Sequence, residues 1–358
     1  MAKKKNLFYN IMEHSNPKCP FKIYIGGRGT GKTYSALSAY ARGDLGTTII
    51  MRRTANELEI IGADKNGDGA NPFKAVYNDH PEYGDYGLHK MRSALYGLYL
   101  RDVDEDGKPH PIGAPLGYGV ALSNIASIRG VDFSDVDTII YDEFIPESHV
   151  RKIKNEGTAF LNAYESINRN RELLGKPPVT AYLLSNSNNI YHDLLIQLGL
   201  VPICEAMVRK GQEDKILVDR GIELHLIKAQ GLREQKAETA LYKATRGTHF
   251  SEMALDNKFT YNDFSLIGYR KTTEYRPVAC IDDFCYLWKH KSNGGYYVTY
   301  NKGSIGFLEK YRSELPQERR MFCMTYLDSV NRAYVRGMII FESYELKMLV
   351  LDIIGLLR

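Results

Sequence analysis

Tryptophan occurs once in the 358 residues, and cysteine only five times. Cys19, Cys204, Cys280, Cys285 and Cys323 form no Cys-x-x-Cys pair and an odd total, so neither a zinc-ligand spacing nor a disulfide framework is suggested. A reducing, intracellular setting is expected. No apolar run approaches the ~18 residues of a membrane span. The basic start Met1-Ala-Lys-Lys-Lys5 is not followed by the apolar stretch of a signal sequence, so no membrane role is expected. The excess of basic over acidic residues is small too, 47 against 43. The formal net charge is +4, and a protein that coats nucleic acid usually carries a larger basic excess. Any nucleic-acid contact has to be local, through a groove or a pore. No internal repeat is present. A 44% hydrophobic and 25% charged composition excludes a disordered, collagenous or coiled-coil chain.

The composition is an ordinary globular mix, and the chain is long enough for two domains. Phe21–Ile25 is a short β-rich run that ends in Gly26-Gly-Arg-Gly-Thr-Gly-Lys-Thr33, and Tyr34–Tyr40 continues with helical spacing. Thr47–Met51 reads as a buried strand followed by Arg52-Arg53. Residues 60–85, rich in Gly, Asn, Asp and Pro, read as a long loop or small insertion. Tyr96–Val103 and Gly117–Leu122 read as a strand pair around Asp104-Glu-Asp-Gly107. Val136–Tyr141 and Thr180–Leu184 are apolar runs of the kind buried parallel strands make. Strands alternating with helical segments predict an α/β domain with a mainly parallel sheet. After residue 230 the chain changes character. The expected division is 1–229, a polar helical linker over 230–247, and a small domain over 248–358. That last part holds strand-like Pro277–Leu287, Tyr296–Tyr300 and Met338–Phe341, and an apolar helix over Tyr344–Leu357.

The strongest motif is Gly26-x-x-x-x-Gly31-Lys32-Thr33 in a strand–loop–helix setting, the pattern of a Walker A phosphate loop. Gly26, Gly29 and Gly31 permit the tight backbone turns that aim successive N–H groups at phosphates. A helix N-terminus adds its positive dipole end, Lys32 supplies a point charge, and the Thr33 hydroxyl suits Mg²⁺. ATP and Mg²⁺ are therefore the expected ligands. Ile139-Ile-Tyr-Asp142-Glu143 supplies a strand-end Asp for the metal, with Thr33, and a neighbouring Glu as general base. Ser185-Asn186 ends the next strand, at the edge where ligands bind in parallel sheets. A polar side chain there either senses the terminal phosphate or simply starts a loop. Arg169, in Asn168-Arg-Asn-Arg-Glu172, has two readings: an arginine finger, or a surface charge on a solvated helix. Asp64-Lys-Asn-Gly-Asp-Gly69 starts like an EF-hand, but the twelfth position, a bidentate Glu in that motif, is Ala75. A flexible turn is expected there.

Leu7-Phe-Tyr-Asn10, the Gly26–Thr33 loop, Arg52-Arg53, Ile139–Phe144, Arg169–Glu172, Leu184-Ser-Asn186 and Glu252–Asn257 occur in this order. In that set the chain resembles the DNA-packaging ATPases of phi29-like bacteriophages, small relatives of terminase large subunits. The resemblance covers most of the first half with specific motifs and is thin over the last third. It implies an ASCE-type P-loop NTPase domain, a helical linker, and a small C-terminal domain with an RNase H-like fold and a vestigial nuclease site. It implies a ring, usually of five subunits, at the portal vertex of a procapsid in the host cytoplasm, in some cases with a packaging RNA, driving double-stranded DNA inward. By similarity Glu143 is the catalytic glutamate, Asp142 the Walker B aspartate, and Arg169 a finger acting on the neighbouring subunit. Arg129 falls where the family carries another basic residue linked to the ATP site, and Arg28, inside the loop, would touch the γ-phosphate or a neighbour. The insertion at 60–85 and the segment between Asn10 and Phe21 depart from the family pattern, so pore contacts and adenine contacts are not carried over.

Three other readings compete. A full terminase would add a nuclease, whose two metals need several converging carboxylates. Asp282-Asp283, on a predicted strand, would present at most one of its pair to such a site. A nucleotide-gated adaptor would not need Glu143. A helicase would be expected to show basic and aromatic residues in alternation, which is not seen.

Overall fold

The computed structural model describes residues 8–63, 70–92, 94–128, 130–146, 150, 153–186, 189–228, 230–248, 263–303 and 308–356. Asp64–Gly69, Arg129 and the Glu252–Asn257 motif lie outside them. The chain divides into two compact units, residues 1–198 with 207–261, and residues 199–206 with 262–358. The division after residue 261 lies beyond 230–247, where α7 (Gln230–Ala237) and α8 (Ala240–Ala244) form.

The first unit is built on a ten-stranded sheet. Its strands in chain order are β1 (Phe21–Gly26), β2 (Thr48–Arg52), β3 (Gly62–Ala63), β4 (Tyr86–Arg92), β5 (Leu95–Val103), β6 (Pro109–Ala121), β7 (Thr138–Asp142), β8 (Thr180–Ser185), β9 (Asp214–Leu217) and β10 (Ile222–Ile227). The spatial order is β3-β4-β5-β6-β2-β7-β8-β1-β10-β9. From β6 to β10 every neighbouring pair is parallel. Antiparallel β4 and β5 extend one side and β9 the other. The parallel centre explains the unbroken apolar runs: β7 is buried at all five positions and β1 at five of six, as strands covered on both faces require. The fold is thus the mixed α/β architecture with a mainly parallel sheet that the sequence predicts.

Two details depart from the sequence reading. Residues 60–85 are not a bare loop. They include the end of α2 (Ala55–Ile61), the short β3, and α3 (Lys74–Asp79), and a 3₁₀ turn over Pro81–Tyr83. Phe73 and Val76 are buried there among Tyr40, Tyr86 and Leu88, so a few apolar residues anchor a segment whose average composition is that of a turn. The hairpin partner of β5 begins at Pro109, well before Gly117. Cross-strand pairing from Val103↔Pro109 to Leu100↔Ile112 organises exposed residues that have no apolar alternation.

A buried ion pair fixes the start of α4 (Glu156–Asn168). Arg53 donates to both carboxylate oxygens of Glu156, at 2.7 and 3.0 Å, and the Tyr141 hydroxyl donates at 2.8 Å. His192 Nε2 stands 3.5 Å from the same group. Burial pushes the Glu156 carboxyl up, but hydrogen bonds from His192 and Arg53 outweigh it and hold the group down at about 2. A depressed carboxylate contributes stability above its unfolded value of about 4.3 and loses it as pH falls through the folded one. The acid limb of an unfolding curve between about pH 4.5 and 2 is therefore expected to flatten in Glu156→Gln, followed by circular dichroism. Arg53→Met, which strands the buried carboxylate, should cost about 3–5 kcal/mol at neutral pH. An unchanged midpoint in urea would show that the pair is dispensable.

The second unit carries β11 (Tyr275–Ile281), β12 (Cys285–His290), β13 (Tyr296–Thr299), β14 (Glu309–Tyr311) and β15 (Ile339–Phe341), in the order β14-β11-β12-β13-β15. Packed on the sheet are α9 (Pro316–Val335), through Phe322, Val330 and Ala333, and α10 (Tyr344–Ile353), through Leu346 and Val350. The expected strand over Pro277–Leu287 is broken at its centre. Asp282 and Asp283 form the β11–β12 turn, with φ of 51° and 61°, a left-handed conformation that Asp tolerates better than most residues. Asp282 accepts from the Ser313 amide at 2.8 Å and its hydroxyl at 2.5 Å, while Asp283 pairs with Lys310 at 2.5 Å. Alternation along a strand, which was expected to separate the two carboxylates, does not apply. All five cysteines are free thiols. Among the described residues no helix is long and apolar enough to cross a membrane.

Candidate nucleotide site

β1 lies between β8 and β10, and β7 lies on the far side of β8. Three parallel strands therefore deliver their C-terminal ends to one edge: β1 brings the loop Gly26–Thr33, β7 brings Asp142 and Glu143, and β8 brings Ser185 and Asn186. At Gly26 an added Cβ would stand 2.7 Å from the Ile227 Cβ of β10, so only glycine lets the loop leave the sheet there. Gly29 and Gly31 have φ of 67° and 99°, which costs glycine little and other residues more. Gly31 precedes α1 (Lys32–Ala41), and no side chain caps that helix. Its first-turn amides are left to the cleft, as an anion site at a helix N-terminus requires.

The cleft has a volume of about 510 Å³ and is lined by the loop from Arg28 to Tyr34, by Asp142 and Glu143, and by Ser185 and Asn186. Lys32 is 6% exposed. Its ammonium donates to the carbonyls of Gly26 at 2.7 Å and Gly27 at 3.0 Å and to the Thr30 hydroxyl at 3.2 Å. Burial lowers it to about 8, despite the opposing pull of Asp142. A buried cation held by carbonyls and a hydroxyl is poised for an anion that also accepts from the loop amides. Thr33 donates its hydroxyl to both oxygens of Asp142, at 3.0 and 3.1 Å. Both are hard oxygen donors of the kind that Mg²⁺ takes as ligands.

Glu143 follows Asp142 in a left-handed conformation, φ 57°, a strain of about 1–3 kcal/mol of the kind that collects at functional sites. Its side chain is the exposed one of the acidic pair. One residue unassigned by the sequence reading joins both carboxylates. Arg52, at the end of β2, reaches Asp142 at 3.3 Å and Glu143 at 3.1 Å. Its buried Nε lacks a hydrogen-bond partner among the described residues. Only the adjacency of β2 and β7 could have revealed this contact. The Ser185 hydroxyl accepts from the Ile145 amide at 3.1 Å and so braces the loop after β7, while Ser185 and Asn186 both line the cleft.

Beyond Gly29 and Gly31 lies a second cavity of about 570 Å³, lined by Phe8, Tyr9, Asn10, Tyr34, Ser38, Arg42, Asp79 and His80 among others. Tyr9 donates its amide to the Thr30 carbonyl at 2.9 Å. The Leu7–Asn10 motif, which carries part of the family resemblance, is thereby fastened to the Gly26–Thr33 loop.

Arg169 caps the C-terminal end of α4 with φ 45° and pairs with Asp132 at 2.8 Å. It is half-exposed and is not among the residues that line the cleft.

A model of the podovirus DNA encapsidation protein (Gp16) family matches residues 107–349, more than half of the chain. The chain belongs to that family. The match takes in Asp142, Glu143, Arg169 and Asn186 and begins beyond the phosphate loop. Among curated Gp16-like relatives, the DNA packaging proteins of Bacillus phages phi29 and PZA are each 27% identical over 260 residues, covering 71% of this chain and 67% of theirs. The fold is shared over nearly the whole chain with a component of the bacteriophage Phi-29 viral genome packaging motor assembly. There the TM-score is 0.62 at 20% identity, over 99% of this chain and 100% of the other. The Phi-28 gp11 DNA packaging motor gives 0.61 at 19% identity, over 98% of both chains.

Proposed function

We propose that this Gp16-family chain is the ATPase of a phage genome-packaging motor, hydrolysing ATP to move double-stranded DNA through a portal into a procapsid. The observation that carries the reading is the convergence of Lys32, Thr33, Asp142 and Glu143 on one cleft at the sheet edge. In this reading Lys32 and the loop amides would hold the β- and γ-phosphates, and Thr33 and Asp142 would hold Mg²⁺, which would supply charge neutralisation at the transferring phosphoryl group. Glu143 takes a proton from the attacking water, Asn186 contacts the terminal phosphate, and Ser185 holds the loop between them. The cavity beyond Gly29, lined by Tyr9 and His80 among others, is the space that would take the base. Arg28 faces the phosphates from within the loop, and Arg129 is assigned by family similarity alone. With Arg52 on Glu143 the carboxylate is engaged, so release from Arg52 precedes its work as a base.

Support for a wider assembly comes from the structural neighbours, a component of the phi29 packaging motor assembly and the Phi-28 packaging motor. A homo-oligomeric ring, a pentamer by family resemblance, at the portal vertex inside the host is the matching arrangement, with or without a packaging RNA. The division of labour assigned to the chain is 1–229 as ATPase, 230–247 as linker and 248–358 as a small RNase H-like domain. The direct test is the rate of phosphate release with and without double-stranded DNA. Turnover that needs Lys32 and rises with DNA supports the motor. Nucleotide binding without turnover, unchanged by DNA, favours an adaptor that uses ATP only to assemble.

Nuclease activity is not part of the proposal. Asp282 is spent on Ser313 and Asp283 on Lys310. Supercoiled plasmid incubated with the full chain and Mn²⁺ should stay uncut, on agarose gels, at protein concentrations that give saturated ATP turnover. Nicking that disappears in Asp282→Ala would restore the full-terminase reading.

A further inference from the structure

We infer that Lys236, on α7, is a second lysine for the phosphates of the bound nucleotide and carries the nucleotide state into the helix that follows the sheet. The inference rests on the nucleotide-site reading above. β10 pairs with β1 up to Gly26↔Ile227, so the chain leaves β10 at the level where the phosphate loop leaves β1. After Lys228 it soon enters α7, whose residue 236 returns to the loop. The Lys236 ammonium donates to the Arg28 carbonyl. An added Cβ on Gly29 would lie 3.4 Å from the same nitrogen, the nearest atom outside the glycine and its chain neighbours. The side chain is half-buried, and among the described residues it has no carboxylate in ion-pair range.

Two ammonium groups thus converge on one loop. The charge of Lys236 acts on Lys32, adding to burial in lowering it, and burial lowers Lys236 as well. Like charges at short range in a partly dry site repel. That repulsion is relieved when a polyanion enters between them, so the arrangement favours a ligand with several negative charges over one with few. A carbonyl is a weak partner for an ammonium compared with a phosphate oxygen, where the hydrogen bond is charge-assisted on both sides. On nucleotide binding Lys236 exchanges Arg28 for phosphate. α7 is then tied to the nucleotide by a charge-assisted hydrogen bond in place of its bond to the loop carbonyl. The stretch 238–248, which continues through α8, is next in the chain to feel the difference.

The test uses the full chain and a fluorescent N-methylanthraniloyl ATP with Mg²⁺. Lys236→Ala should weaken binding by about tenfold, the loss expected when one charge-assisted hydrogen bond goes (~1.4 kcal/mol per tenfold), and Lys236→Arg should recover most of it. In wild type, ATP should slow amide hydrogen exchange across Gln230–Ala237, and in Lys236→Ala that slowing should vanish. Equal affinities for wild type and Lys236→Ala, with exchange in α7 indifferent to ATP, would overturn the inference while leaving the site intact. A wild-type protein that binds no nucleotide would overturn the site reading itself. Unchanged thermal melts of the apo-proteins separate a lost contact from a lost fold.

Discussion

Glu143→Gln is expected to bind ATP–Mg²⁺ close to normally and to hydrolyse it about 10²–10⁴-fold more slowly, the usual worth of a positioned general base. The amide keeps the size of the side chain and accepts a hydrogen bond but cannot take the proton. Its contact to Arg52 weakens, because the 3.1 Å ion pair becomes a neutral–charged hydrogen bond. Binding survives because Lys32, Thr33 and Asp142 are untouched. Rapid-quench measurement of product in the first turnover separates the chemical step from product release. Near-normal single-turnover hydrolysis would remove Glu143 from the role of base. Arg52→Ala gives a complementary check: Asp142 and Glu143 lose a shared cation, and turnover without DNA should change before nucleotide affinity does.

Arg169→Ala should lose about 10³–10⁵ in DNA-stimulated turnover, the contribution of an arginine finger, with ATP affinity near wild type. The geometry makes the side chain available. Its pairing with Asp132 is exposed on both sides, and its hydrogen bonds to the carbonyls of Val131 at 3.1 Å and Ser166 at 3.3 Å are exposed as well, so water can replace these contacts when the guanidinium leaves for a neighbour. The decisive form mixes Arg169→Ala subunits with Glu143→Gln subunits. Each alone is nearly inactive, yet a mixed ring contains interfaces with an intact Glu143 facing an intact Arg169. Titrating one variant into the other should restore partial turnover with a maximum at intermediate ratio. Mixed rings that form and stay inactive at every ratio would return Arg169 to a helix-capping role within its own subunit.

What could be read from the sequence was local. Gly26–Thr33 announces its own geometry because the glycines, the lysine and the flanking strand and helix are contiguous, and Asp142-Glu143 is marked by the fully apolar strand before it. The contacts that tune these residues are between strands and helices distant in sequence. Arg52 meets Glu143 only because β2 pairs with β7, and Lys236 reaches Arg28 only because β10 ends beside β1. Neither adjacency leaves a periodicity. The Asp282-Asp283 turn was hidden for another reason. Ile281 and Phe284-Cys285 on either side continue the apolar run, so a hairpin of two acidic residues in left-handed conformation looks like a strand interrupted by charge. Residues 60–85 mislead in the opposite direction, since composition averages over Ile61, Phe73 and Val76, buried side chains that anchor the segment. The 20-residue α9 was missed because its buried face is narrow: Phe322, Val330 and Ala333 are its only fully buried side chains.

The central claim is that hydrolysis in this cleft, and not nucleotide binding alone, moves DNA. The measurement is DNase protection of double-stranded DNA added to empty procapsids with the wild-type chain, comparing ATP, a non-hydrolysable ATP analogue, and Glu143→Gln with ATP. Protection to genome length with ATP and wild type only, and none in the other two, is the predicted result. Protected DNA with the analogue, or with Glu143→Gln at wild-type yield, would contradict the account.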